Sequence, residues 1–319
     1  MSNNIKVLLI GTGNMANEYY KVLKACEIET IVVGRGEERA RVFKKNNNCK
    51  KVYWGGLENC PQEELKDVSH AIIAVNVPQL CEVTKQVIGA RISNILVEKP
   101  GALSKDELSS INVMAKEKGV NIFIAYNRRF YSSVLKAQEI INNDGGVSSF
   151  NFEFTEWGHV IEKTNNDEIT KNNWLLANST HVIDLAFYLG GKPVQMNSYI
   201  GGRLSWHENG SNYVGAGKTD KGALFSYCAN WDAPGRWSVE ILTKNFRLYL
   251  KPMEQLQIQQ RGTVKIDQVE IDDELDTCYK PGLYRELQAF LINLEKVGLM
   301  TLEEQISEFD IYMQIAGKN

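Results

Sequence analysis

Short apolar runs rich in β-branched residues recur through the N-terminal part of the chain: Ile5–Ile10, Thr30–Val33, His70–Val75, Asn94–Val97 and Val120–Ala125. Such runs predict strands buried on both faces. Val52–Gly55 reads as a further short strand. Between the runs the apolar positions return with helical spacing, from Asn14, from Gly36, over Gln79–Ile88 and over Ser104–Lys118. Ser104 and Glu107 form the start signal of a capping box, and Gly119 supplies the stop. Strands and helices that alternate in this order predict an α/β fold with a doubly wound parallel sheet.

After residue 125 the pattern changes. A helix over Ser133–Asn142 ends at Gly145-Gly146. Ser149–Phe154, Ala223–Tyr227, Ser238–Leu242 and Arg247–Leu250 then alternate apolar and polar residues. Alternation means one buried and one open face, as in an antiparallel sheet. A helix over Asn178–Leu189, stopped by Gly190-Gly191, interrupts these strands, and helices over Leu283–Val297 and Leu302–Ala316 close the chain. The reading is two domains, 1–125 and 126–319, with the closing helices able to pack back on the first.

The 319 residues allow two cores, and apolar (43%) and charged (24%) contents are those of an ordinary globular protein. A net charge of −3 leaves no basic surplus for nucleic acid. No apolar run predicts a membrane span, and the N-terminus lacks the basic and apolar regions of a signal peptide. The six cysteines are scattered without CxxC or zinc spacing, which predicts reduced thiols, a cytoplasmic protein and no metal site.

The first strand runs into Gly11-Thr12-Gly13-Asn14-Met15-Ala16. A strand, a glycine turn and a helix in immediate succession point to a dinucleotide site. Gly11 permits the tight turn. Gly13 lets a pyrophosphate approach the backbone, with Asn14 and Met15 opening the helix N-terminus that receives it. Ala16 takes the third glycine's place, where helix packs on strand. The next strand ends in Gly34-Arg35 with no acidic residue, and Arg39 follows. An acid there would bind ribose hydroxyls, whereas an Arg suits a 2′-phosphate, so NADP(H) is favoured over NAD(H). Both arginines also read as solvated surface residues. Asn76 and Pro78 follow the His70–Val75 strand and should run under the cofactor, because ligands of such sheets lie beyond the strand C-termini.

Lys99 follows the strand ending at Val97, on the same predicted edge. A lysine there can polarise a substrate oxygen or give it a proton. It equally reads as an exposed lysine before a turn proline, Pro100. Glu98 is placed to pair with Lys99 or with a cofactor hydroxyl. Helical spacing puts Ala177, His181, Asp184 and Tyr188 on one face. His181 with Asp184 reads as an acid–base pair, and as a core histidine satisfied by a neighbouring carboxylate. Tyr126, Arg128 and Arg129 end a strand on the same edge. The arginines could hold an anionic substrate group or brace the domain junction. Trp231–Trp237, which includes Arg236, reads as a turn at a pocket rim.

Taken together, these motifs resemble the glucose–fructose oxidoreductase / inositol dehydrogenase / MocA family. The resemblance rests on Gly11–Ala16, Val97-Glu98-Lys99-Pro100, Tyr126-Asn127-Arg128-Arg129-Phe130, His181-Val182-Ile183-Asp184-Leu185 and Tyr284–Phe290. It implies an N-terminal Rossmann domain and a C-terminal α+β domain with a large, mostly antiparallel open sheet whose free face forms a homodimer or homotetramer. It implies NAD(P)-dependent hydride transfer between nicotinamide and a carbinol or keto carbon of a sugar or nucleotide-sugar. Lys99 would stand near the reacting oxygen with His181 as its acid–base partner, and Arg129 and Arg236 would be candidates for an anionic group. Two departures stand out. Ala177 occupies the position of an aspartate common in the family, and Asn76-Val77-Pro78-Gln79-Leu80 replaces a common Thr-Pro-Asn followed by His. The first raises two other readings: a cofactor-binding sensor or assembly protein without turnover, and an enzyme that keeps its nicotinamide bound and recycles it.

Overall fold

The computed structural model describes residues 5–292 and 297–318. The chain forms two units: the first takes the chain up to Asn127 and Cys278–Ile306, the second Arg128–Thr277 and the chain from Ser307. The division is therefore not the single cut expected near residue 125. The chain returns to the first unit because the Leu283–Leu291 helix has a core side there. Its Phe290 meets the rings of His70 and Phe123 edge-on, at 5.1 and 6.2 Å, and so covers that unit's sheet. His70 is a core residue as the sequence suggested, with Ser69 Oγ 2.8 Å from its Nδ1. Residues 293–296 of the expected Leu283–Val297 helix lie outside the described residues.

In the first unit, β1 (Lys6–Ile10), β2 (Glu29–Val33), β3 (Val52–Tyr53), β4 (His70–Ile73), β5 (Asn94–Glu98) and β6 (Asn121–Ala125) form a parallel sheet. The spatial order is β6-β5-β4-β1-β2-β3, and a two-residue strand, Met300–Thr301, adds to β6 in the antiparallel sense. β1 lies in the middle, with Leu8 opposite Ile31 on one side and Ala71 on the other. Val7, Leu8 and Leu9 are sealed from solvent, as continuous apolar runs require in a sheet covered on both faces. The capping box is present: Glu107 N donates to Ser104 Oγ, and Ser104 N to the Glu107 carboxylate. Gly119 takes the left-handed conformation that ends the helix.

In the second unit, β7 (Ser149–Glu153), β8 (Pro193–Gly201), β9 (Asn212–Thr219), β10 (Leu224–Asn230), β11 (Ser238–Leu242), β12 (Phe246–Leu250), β13 (Gln257–Gln260) and β14 (Ile266–Gln268) form an eight-stranded sheet. The order is β14-β13-β12-β11-β7-β10-β9-β8, antiparallel except between β7 and β10. Phe150 and Phe152 of β7 and Phe225 and Tyr227 of β10 line the buried face. Phe187 of the Thr180–Gly190 helix meets Phe150, Phe152 and Phe225 edge-on at 5.1 to 6.0 Å. These ring contacts fix the helix over the sheet. At the helix end only glycine fits at 190, because a Cβ there would lie 2.2 Å from the Phe150 ring.

β8, β9, β13 and β14 are strands that the sequence pattern does not announce. β8 is an edge strand with few buried positions, so its residues carry no apolar stripe. β9 contains Gly215 and Gly217, which add no side chain to an alternating pattern. A Cβ at Gly215 would fall 2.3 Å from the Tyr227 ring, so the glycine marks a close approach inside a strand.

Candidate active site

The first unit gathers its candidate residues by strand direction alone. β1, β2, β4 and β5 are parallel and neighbouring, so the residues that follow them share one edge of the sheet. These are the Gly11–Gly13 turn, Arg35, Asn76 with Pro78, and Glu98 with Lys99. Gly11 N donates to Val33 O at 2.9 Å, tying the turn to β2. Gly11 has φ +125°, and a Cβ on it would lie 2.1 Å from Ala74 O. No other residue fits there. Gly13 differs. A Cβ on it would meet nothing within 4 Å, and it caps the Asn14–Ala25 helix with no side chain on the exposed amides. An open helix N-terminus of this kind can receive a pyrophosphate. Ala16 is wholly buried, in keeping with its place between helix and strand.

Arg35 is exposed at the end of β2, and its carbonyl accepts from Gly55 N at 3.1 Å. Asn76 and Pro78 are exposed on the short turn that leads into the Leu80–Gly89 helix. Glu98 has a partner that the sequence did not suggest. The Tyr19 hydroxyl, on a fully buried side chain of the Asn14–Ala25 helix, donates to Glu98 Oε1 at 2.8 Å. Burial pushes the Glu98 carboxyl up, against the pull of Lys99, the Tyr19 hydrogen bond and Lys280. Glu98 thus ties the end of β5 to the fingerprint helix. Lys99 is half-buried and precedes Pro100 through a cis peptide bond. Gln305 donates to Pro100 O at 2.9 Å from a fully buried position. No local motif points to Gln305, because it reaches the turn from the far end of the sequence. Tyr126 is 1% exposed.

In the second unit, His181 lies in the first turn of the Thr180–Gly190 helix and is 8% exposed. A π-helical turn, Leu175–Ser179, precedes it, so the expected helix over Asn178–Leu189 starts in a wider turn. That turn delivers Asn178 and Ser179 to Glu156. Asn178 Nδ2 and Ser179 Oγ each donate to Glu156 Oε1 at 2.9 Å. Glu156 is 2% exposed, and burial raises its pKa against these hydrogen bonds and Arg236. Sequence reasoning missed this carboxylate. Its only local signal is an acid just beyond an alternating strand, which is common on any protein surface.

The Trp231–Trp237 segment corrects the expectation of a pocket rim in part. Trp231 is 1% exposed and stacked on Trp206 at 6.0 Å, so it belongs to the core. The other end of the segment is at the site. Trp237 lies 6.3 Å from the His181 ring, and the Arg128 and Arg236 guanidiniums lie 4.6 and 4.7 Å from the Trp237 ring centre. Arg236 also covers Trp157 at 4.9 Å, and its Nη1 is 3.7 Å from Glu156 Oε2.

Asp184 and Arg129 pair with each other, which is the structural alternative the sequence left open for one of the two arginines. Asp184 is fully buried and accepts from Arg129 Nε at 2.9 Å and Nη2 at 2.5 Å. Arg129 is itself 6% exposed. An arginine whose fork is taken by an internal carboxylate is a structural brace, not a surface donor for substrate. The arginine that joins Arg236 beside His181 is Arg128.

Residues 5–126 match the GFO/IDH/MocA model, described as an oxidoreductase family with an NAD-binding Rossmann fold. The GFO/IDH/MocA match takes in the glycine turn, Arg35, Glu98 and Lys99. A glucose-6-phosphate 3-dehydrogenase of Bacillus subtilis (strain 168) is 26% identical over 195 residues, which are 58% of this chain. The match spans about half of that relative, 53%. Among solved structures, levoglucosan dehydrogenase in complex with NADH and levoglucosan is similar with a TM-score of 0.80 and 17% identity, covering 99% of this chain and 97% of that one. UDP-N-acetylglucosamine 3-dehydrogenase GnnA from Acidithiobacillus ferrooxidans gives 0.77 and 15%, covering 98% and 97%. A putative NADPH-dependent oxidoreductase from Desulfitobacterium hafniense gives 0.80 and 20%, covering 99% and 95%. At these identities the structural likenesses establish the fold.

Proposed function

We propose that this protein is an NADP-dependent oxidoreductase acting on a carbinol or keto carbon of a sugar or nucleotide-sugar. The observation that carries the reading is Lys99 at the end of β5, on the same sheet edge as the open Gly13 turn. The names of the relatives, a sugar-phosphate and a nucleotide-sugar dehydrogenase among them, support the substrate class. Arg35, with no acid at the end of β2, supports the preference for NADP over NAD.

The bound nicotinamide supplies or accepts the hydride. Everything else falls to the chain. Gly13 and the first amides of the Asn14–Ala25 helix hold the pyrophosphate. The Lys99 ammonium donates a hydrogen bond to the substrate oxygen and stabilises the charge that develops there. The His181 imidazole takes the hydroxyl proton in oxidation and returns it in reduction. The outer face of the eight-stranded sheet, which exposes Tyr199, Val214 and Leu224, is assigned to self-association.

The test is a screen for NADPH oxidation with keto-sugars and keto-sugar phosphates, followed by Lys99→Ala on the substrate found. The variant should lose about 10²–10⁴-fold in kcat while keeping the wild-type melting temperature. Undiminished turnover would refute the role of Lys99. Tight NADPH binding with no oxidation by any keto-sugar would favour binding without turnover. Nicotinamide that co-purifies and shows no net redox change during turnover would favour the recycling reading.

A further inference from the structure

Arg128 is the unusual arginine of the second unit. Its Nε is sealed from solvent and has no hydrogen-bond acceptor. Its guanidinium lies over two rings, Trp237 at 4.6 Å and Tyr131 at 5.8 Å. A ring face attracts the charge but accepts none of the N–H bonds that water gave the guanidinium. Arg129, the next residue, has the opposite arrangement, with two donors matched to Asp184. A second orphan lies on the same stack: the indole Nε1 of Trp237 is buried without an acceptor, on a side chain 6% exposed. Arg236 is the third donor, half-exposed, with only a 3.7 Å approach to Glu156. Burial pushes the Arg128 pKa down, against Tyr131, Glu254 and Glu156, and the nearby Arg236 charge adds to that push. Buried donors without acceptors, beside like charges, are costly unless a ligand supplies the oxygens.

We propose that Arg128, Arg236 and the Trp237 indole N–H form a subsite for a phosphoryl group, so that the substrate presented to His181 is a phosphorylated sugar. Two guanidiniums suit a dianion better than a singly charged carboxylate, and the fork of each matches two phosphoryl oxygens. Glu156 holds Arg236 at the mouth of the subsite without reaching Arg128's Nε. The word substrate rests on the oxidoreductase reading above; the anion subsite stands on the donors alone.

Binding is measured on the full chain with NADPH present, by calorimetry and thermal shift. The probes are inorganic phosphate, glucose 6-phosphate, UDP-glucose, glucuronate and glucose. Phosphate and at least one phosphate ester should bind and raise the melting temperature, and glucose should do neither at the same concentration. Tighter binding of glucose 6-phosphate assigns the group to a monoester, and tighter binding of UDP-glucose assigns it to a diphosphate. Glucuronate preferred over both esters would overturn the proposal. Arg128→Met should weaken the ester about 10–100-fold and should melt no lower than wild type, because the Nε it removes is sealed from solvent without an acceptor. Arg236→Ala, at an exposed position, gives the same test if Arg128→Met does not fold. Arg247→Met, a β12 arginine paired with Glu240, should bind the ester as wild type does. Equal ester affinity in wild type and both site variants would overturn the subsite. Ester binding through Arg128 without any sugar-dependent NADPH oxidation would sink the oxidoreductase reading and leave the subsite. Turnover of neutral sugars with no response to phosphate esters would do the reverse.

Discussion

Arg129 and Asp184 lie 55 residues apart in the chain and meet in a buried, two-bond ion pair, with Arg129 6% exposed and Asp184 fully buried. Neither is available to solvent, and Tyr188 covers the guanidinium at 4.5 Å. A buried pair is fragile to the loss of one member, because the survivor keeps its desolvation cost. Arg129→Met alone should destabilise the protein by about 3–5 kcal/mol. Arg129→Met with Asp184→Leu should recover most of that loss. Chemical denaturation of the two variants checks both expectations, and a double variant as weak as the single would contradict them.

The two glycines of the first turn should fail in different ways. Gly11→Ala places a Cβ 2.1 Å from a backbone oxygen at φ +125°, so it should lower the melting temperature sharply. Gly13→Val has a clear site and an ordinary backbone conformation. It should melt like wild type and lose at least about tenfold in NADPH affinity, because the added side chain occupies the pyrophosphate's approach. Thermal melts with and without NADPH separate the two outcomes.

Arg35 is exposed at the end of β2, and the strand end itself, Val33-Gly34-Arg35, carries no acid. Arg35→Ala should weaken NADPH by about tenfold or more, the scale of a charge-assisted hydrogen bond to phosphate, and leave NADH affinity unchanged. Isothermal titration with both nucleotides measures the ratio. A wild-type preference for NADH would refute the reading of Arg35.

Glu308 is buried near Asp184, Arg129 and Lys192, and Tyr312 donates to it at 3.3 Å. Burial first, and then the charge of Asp184, push its carboxyl up to about 7, against Arg129, Lys192 and Tyr312. An unfolded glutamate titrates near about 4.3. Between these values the folded state holds a proton that the unfolded state has released. Stability from this group is therefore full below the unfolded value and falls as pH rises through about 7. Glu308→Gln should match wild type near about pH 5 and exceed it near about pH 8, by an amount of order 3 kcal/mol at most. Parallel melting curves for the two proteins across that range would contradict this.

The placement of the candidate residues in the first unit was legible because it is local. Parallel strands place whatever follows them on one edge, so Gly11, Arg35, Asn76 and Lys99 could be assigned to that edge from their order in the chain. The capping box at Ser104 and the stop at Gly119 needed only neighbouring residues. Edge strands β8 and β14 were not legible, because a strand with little buried face has no apolar pattern to show.

The sequence by itself determined the alternation of elements, the dinucleotide turn and the type of residue at each strand end, since these follow from side-chain period and backbone freedom. Only the tertiary structure decided which charges are matched. Two adjacent arginines of the same composition part company: Arg129 turns to Asp184 and is buried, while Arg128 lies on Trp237 beside Arg236 with an N–H that nothing accepts. The reason is that partners in a buried electrostatic network come from distant segments, and desolvation makes each partner's presence or absence decisive.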